Sequence, residues 1–140
     1  MLAKNHYLQP TSITFVPNWL NHAEKNFIKF LARAVGDQAL IFTKVSVNNV
    51  LEHVSLFEEY PQYDFDEDVF DFVLCNISNL SVLCVISLDS RKIPNQKQPL
   101  ADNAHSSLCE DANIPYLEIP ARCGYEIAKL RKLLAPYVLR

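Results

Sequence analysis

Phe70-Asp71-Phe72-Val73-Leu74-Cys75 and Val82-Leu83-Cys84-Val85-Ile86-Ser87-Leu88-Asp89, separated by Asn76–Ser81, are the stretches that decide the fold class of this chain. Both are rich in the branched, aromatic and sulfur side chains that suit a buried pleated surface, and the polar residues between them predict a hairpin. Strands this apolar need helices to cover them. Upstream, Ala39–Val47 reads as a further strand and Asn48–Leu56 as a short helix. Asn21–Val35 carries Ala23, Phe27, Phe30 or Leu31, and Ala34 at helical spacing, with Asn21 as N-cap, Glu24 completing a capping box and Gly36 ending the helix.

Downstream, Leu100, Ala104, Leu108 and Ala112 recur at i,i+4 steps and predict a helix over Leu100–Ala112, which Asn113 stops in the left-handed conformation. Ile114–Ile119 reads as a strand that Pro120 ends, and Tyr125–Leu134 as a last helix with Ile127, Leu130 and Leu134 on one face. Residues 1–19, interrupted by Pro10 and Pro17, read as an irregular segment preceding one domain over 20–140. The acidic segment Glu58–Asp68, with Tyr60, Tyr63 and Phe65, reads as a solvated surface loop. The resulting order, α-β-(short α)-β-β-α-β-α, predicts an α/β domain with a mixed sheet flanked by helices.

Composition narrows the function. With 140 residues the chain supports one substantial core, and its 21% of charged residues argues against wholesale disorder. Only two glycines occur, which excludes glycine-rich phosphate loops and dinucleotide fingerprints. No apolar run reaches membrane-spanning length and no targeting segment is recognisable, so a cytoplasmic protein without membrane contact is expected. Cys75, Cys84, Cys109 and Cys123 lack zinc-site spacing and read as buried thiols, Cys75 and Cys84 within apolar strand-like runs. Between Lys44 and Arg91 there are acids and no Lys or Arg, whereas Arg122, Lys129, Arg131, Lys132 and Arg140 make the C-terminal stretch basic. The acidic centre opposes strong DNA binding unless bound cations intervene, and the basic last helix leaves room for a weaker contact.

The polar residues that interrupt the strands are the candidate site. Ser87 and Asp89 share a sheet face through the two-residue period. An odd count in the hairpin connection sets Asp71 on that face too, within reach of one hard cation; an even count sets it on the other. His105 follows Asp102 by three residues on the predicted helix, so the two share a side. It could act as a base, although an ordinary surface histidine is the expected reading.

Taken in order, several short motifs resemble an uncharacterised bacterial family of the PD-(D/E)-x-K nuclease fold. They are Glu24-Lys25-Asn26-Phe27, Val45-Ser46-Val47-Asn48-Asn49-Val50-Leu51, Asp71-Phe72-Val73-Leu74-Cys75, Ile86-Ser87-Leu88-Asp89, Ala101-Asp102-Asn103-Ala104-His105 and Ala112-Asn113-Ile114-Pro115. The likeness spans nearly residues 20–134. It implies a restriction-endonuclease-like αβββαβ core, with acids at Asp71, Asp89 and Asp102 as the catalytic candidates, His105 beside them, and Asp71 and Asp89 as the metal candidates.

The departures from that pattern point away from cleavage. Ser87 stands where the family has an acid, Ala101 and His105 where it has basic residues, and Glu118 where a basic residue is usual. Cleavage in this fold class relies on carboxylates that hold Mg²⁺ and cations that hold the phosphate. A non-catalytic nuclease-fold domain with no cofactor is therefore expected, acting through a protein partner, a homodimer or weak nucleic-acid contacts. The alternative is a nuclease using Mg²⁺ or Mn²⁺ on Asp71, Asp89 and Asp102, assisted by Lys92 or His105.

Overall fold

The computed structural model describes residues 7–8, 19–51, 64–65, 67–89 and 100–138. Its elements are β1 (Tyr7–Leu8), α1 (His22–Val35), β2 (Leu40–Ser46), α2 (Val47–Val50), β3 (Val69–Cys75), β4 (Val82–Asp89), α3 (Leu100–Asp111), β5 (Tyr116–Pro120) and α4 (Ile127–Val138). They form a mixed α/β fold. The five strands lie side by side in chain order, antiparallel from β1 to β4 and parallel between β4 and β5. A parallel neighbour requires a crossover, and α3 lies in that connection. No helix among the described residues is long and apolar enough to cross a membrane.

Local chemistry accounts for the element ends. Asn21 Oδ1 accepts from the Glu24 N–H at 2.8 Å and Glu24 Oε1 accepts from the Asn21 N–H at 2.9 Å, so the capping box closes as the sequence predicts. Gly36 (φ 59°) and Asn113 (φ 59°) take left-handed backbone after α1 and α3. In the hairpin, Asn76 Oδ1 accepts from the Ser78 and Asn79 N–H groups and shapes the turn.

Each face of the sheet has its own core. Phe72, Leu74, Cys84 and Ile86 join Phe27, Ile28 and Leu31 of α1 and Leu130 and Leu134 of α4. Val73, Cys75 and Val85 join Val47, Leu51, Leu108 and Cys109, which come from α2 and α3 and their ends. α1 and α4 thus share one side, and α3 covers the other.

Two expectations change. The N-terminal segment is not irregular throughout, because Tyr7 and Leu8 pair with Phe42 and Ile41 along the outer edge of β2. Two residues are too few to show a period, whereas an open edge offers unpaired backbone groups that favour such an addition. Phe65, read as part of a solvated loop, is only 4% exposed and belongs to the α3-side core. The Asn48 N–H donates to Phe65 O and the Val47 N–H to Asp68 O, both at 3.0 Å, so the start of α2 holds this turn against the sheet. Residues 52–63 and 66, which include the rest of the acidic segment and of the expected Asn48–Leu56 helix, lie outside the described residues.

Candidate functional site: a lysine between two carboxylates

The strand registers gather the polar candidates at one level. Thr43 faces Phe72 and Val45 faces Phe70, which sets Lys44 opposite Asp71. Across the hairpin Phe72 faces Ile86, Val73 faces Val85 and Leu74 faces Cys84, but Cys75 faces Val82. The connection 76–81 therefore has an even count, yet the irregularity at Leu74/Cys75 moves the register by one residue and sets Asp71 level with Ser87. Ser87 in turn faces Glu118 of β5.

α1 brings a further acid to this row. Glu24 is 3% exposed, and with Oε1 engaged by the cap its Oε2 accepts from Lys44 Nζ at 2.5 Å. Lys44 Nζ also stands 3.5 Å from Asp71 Oδ1, while Asp71 Oδ2 accepts from the Leu88 N–H at 3.0 Å. Each carboxylate thus has one oxygen held by a backbone amide and the other turned to one ammonium. Lys44 adopts φ 52° inside a strand, a left-handed conformation that costs a non-glycine residue on the order of 1–2 kcal/mol. Beside it Thr43, fully buried, accepts a hydrogen bond from the Trp19 indole at 3.1 Å.

Burial pushes the Asp71 carboxyl above its ordinary range, and the nearby Glu24 adds to this. The Leu88 amide and the Lys44 charge pull the other way without cancelling it. A carboxyl whose folded pKa is raised binds its proton more tightly in the native state. Its contribution to stability is therefore fully present below the unfolded pKa and is lost as pH rises through the folded value. Asp71→Asn keeps an acceptor for Leu88 and leaves Lys44 paired with Glu24. The variant is expected to match or exceed the wild-type Tm at pH 7, with its advantage shrinking as pH falls toward 4. Thermal melts across that range check it, and a variant clearly less stable than wild type at pH 7 would show that the Lys44–Asp71 attraction outweighs the burial of the charge.

The other candidates fall as follows. Asp89 ends β4 half-buried, with its carbonyl accepting from the Ala121 N–H at 2.8 Å, and the Asp71–Leu88 bond brings Asp71 to the residue before it. Asp102 lies in α3, but its side chain is outside the described ones. Among the described residues no three His, Cys, Asp or Glu side chains converge as a metal site requires.

His105 is not the surface residue expected. It is 6% exposed, its ring centroid lies 4.9 Å from that of Phe70, and its Nε2 donates to Asp68 Oδ2 at 2.6 Å. The reason is helical geometry: His105, Leu108 and Cys109 follow the i, i+3, i+4 spacing of the buried stripe of α3. The pair fastens α3 to the turn before β3. Burial also pushes the thiols of Cys84 and Cys109 up to about 12 and that of Cys75 to about 11, which favours their protonated form at neutral pH, whereas Cys123, expected to be buried, is exposed.

Lys44 was not among the sequence candidates, and Glu24 entered only as a capping residue and a motif letter. The signal for Lys44 was its position, a single cation inside the otherwise β-favouring Leu40–Ser46. No curated protein and no solved structure matches the chain. A family model does match over residues 17–137, which is most of the sequence, and the chain belongs to that family, described as protein of unknown function (DUF2726).

Proposed function

We propose that this chain is a non-catalytic domain with the restriction-endonuclease-like arrangement, acting through macromolecular contacts and not by cutting phosphodiester bonds. The observation that carries this reading is the ammonium of Lys44 between Glu24 and Asp71. Metal-assisted cleavage needs carboxylates free to hold a hard cation. Here the chain supplies its own cation, tethered beside both acids, and a divalent ion has to displace it. With the single turn of α2 between β2 and β3 set aside, the order α1-β2-β3-β4-α3-β5 supports the fold reading because it repeats the αβββαβ core of that class. Ser87 and Glu118, level with Asp71 and unlike the acid and base of the resembled pattern, support the loss of catalysis.

Titration calorimetry with Mg²⁺ and Mn²⁺, joined to incubation with single- and double-stranded DNA and RNA, tests it. The expected result is no saturable heat and no shortened product. Saturable binding that disappears in both Asp71→Asn and Asp89→Asn, accompanied by metal-dependent cleavage, overturns the proposal in favour of the nuclease alternative.

A further inference from the structure

The net charge of −3 conceals a sharp division, among the described residues, between the two sides of the sheet. Eight Lys and Arg residues are described, and seven belong to α1 and the C-terminal segment beside it: Lys25, Lys29, Arg33, Arg122, Lys129, Arg131 and Lys132. Six of the seven are exposed and Lys25 is half-buried. The eighth, Lys44, is the cation held by Glu24 and Asp71. On the α3 side the described charges are acidic, from Asp64, Glu67 and Asp68 to Glu110 and Asp111.

The basic residues lie on neighbouring segments because α1 and the segment leading through α4 are stitched together. Asn26 Nδ2 donates to the carbonyls of Arg122 and Cys123 at 2.9 and 3.1 Å, and the Arg131 guanidinium donates to the Arg33 carbonyl at 3.2 Å. These links occur in the same order along both segments, so α1 and residues 122–131 run alongside each other in one direction. Lys25, Lys29 and Arg33 follow i, i+4, i+8 along α1 and make a row of charges roughly 6 Å apart. Lys129 and Lys132 add a second row. Among the described residues, the acids on or just beyond these two segments are Glu24, buried against Lys44, Glu126, 3.4 Å from Lys129, and Asp37 just beyond α1.

We propose that this α1–α4 surface binds the phosphate backbone of duplex nucleic acid, independently of sequence. The inference rests on the non-catalytic reading above and assigns it a contact surface distinct from the Lys44 cluster. Two rows of cations on neighbouring helices match a polyanion with charge on both sides of a groove, and neutralising phosphates releases condensed counterions. A lipid surface fits less well. The apolar stripes of both helices are consumed by the core, which leaves Leu133 as the exposed large apolar side chain on α4. The described charges of the opposite side are acidic and repel the same polyanion, which favours presentation of the α1–α4 face.

The test is fluorescence anisotropy of a labelled 20-base-pair DNA duplex and its RNA counterpart, titrated with the full chain at several salt concentrations. Four engaged phosphates give a slope of log K against log salt of about −3.6, hence about 150-fold weakening between 50 and 200 mM salt. The triple variant K29E/R33E/K132E, which spares Arg131 and its bond to α1, is expected to lose binding more than tenfold while keeping the wild-type thermal melt. A single Lys29→Glu variant, expected to weaken binding by a smaller factor, serves if the triple variant melts differently.

No duplex binding at 50 mM salt overturns the inference, as does binding that survives the charge reversals. So does binding to phosphatidylserine vesicles in preference to duplex. Failure here leaves the non-catalytic reading standing, whereas cleavage of the bound duplex leaves the surface standing and removes that reading.

Discussion

Replacing Lys44 with Met is expected to lower the unfolding free energy by about 3 kcal/mol, a fall of about 10 °C in Tm for a domain of this size. The substitution keeps most of the aliphatic stem and removes the charge. Glu24 Oε2 and Asp71 Oδ1 then face each other without their shared cation, in a setting where the Glu24 side chain is 4% and the Asp71 side chain 24% exposed. Breaking a buried ion pair by removing one partner costs about 3–5 kcal/mol, and the partial exposure of Lys44 and Asp71 places the effect at the lower end. The left-handed backbone at residue 44 remains, so the variant gains no relief from it.

The same substitution separates a tethered-cation site from an ordinary ion pair. With the ammonium gone, two carboxylates pre-oriented by backbone amides are open to a divalent ion. An ion held at about millimolar strength returns about 1.4 kcal/mol at about 10 mM. Differential scanning fluorimetry with and without Mn²⁺ reads both effects: destabilisation first, then partial recovery that the wild type does not show. A variant as stable as wild type and indifferent to the ion would mean that Lys44 is a peripheral pair with no bearing on the site.

Phe27→Ala is expected to cost about 3–5 kcal/mol. Phe27 is completely buried where three parts of the chain meet. Its ring stands edge-on to Phe72 of β3 and to Tyr125, with centroids 5.2 Å away in both cases. Tyr125 in turn accepts from the Arg122 N–H and donates to the Pro120 carbonyl, so the loss reaches the loop that leads into α4. Glu24 lies one turn earlier on α1, and loosening this helix also loosens the arm that carries the carboxylate. Denaturant titration with an unchanged m-value checks the effect; a loss below about 1 kcal/mol would show that the surrounding side chains close over the gap.

Most of the fold was legible because its signals are local. The capping residues Asn21 and Glu24, the helical recurrence of Phe27 and Leu31, and the apolar runs around Phe72 and Ile86 are properties of neighbouring residues. They survive in any tertiary setting that buries those faces. Phe65 and His105 depart from the local signal because the burial of each depends on a distant surface. Phe65 looks solvated among acids until α2 fixes its turn, and His105 looks exposed until α3 docks over Phe70.

By itself the sequence determined the α/β class, the order of its long strands and helices, the hairpin, and the imbalance between an acidic centre and a basic end. Those depend on periodicity, capping and composition, which are read along the chain. Tertiary structure alone decided what the charges do. A one-residue irregularity at Leu74/Cys75 set Asp71 level with Ser87, against the even count of the connecting loop. The packing of α1 brought Glu24 to Lys44, twenty residues away, and tied α1 to the distant basic segment that leads through α4. Electrostatic partners are chosen by distance through space, and only the folded chain sets that distance.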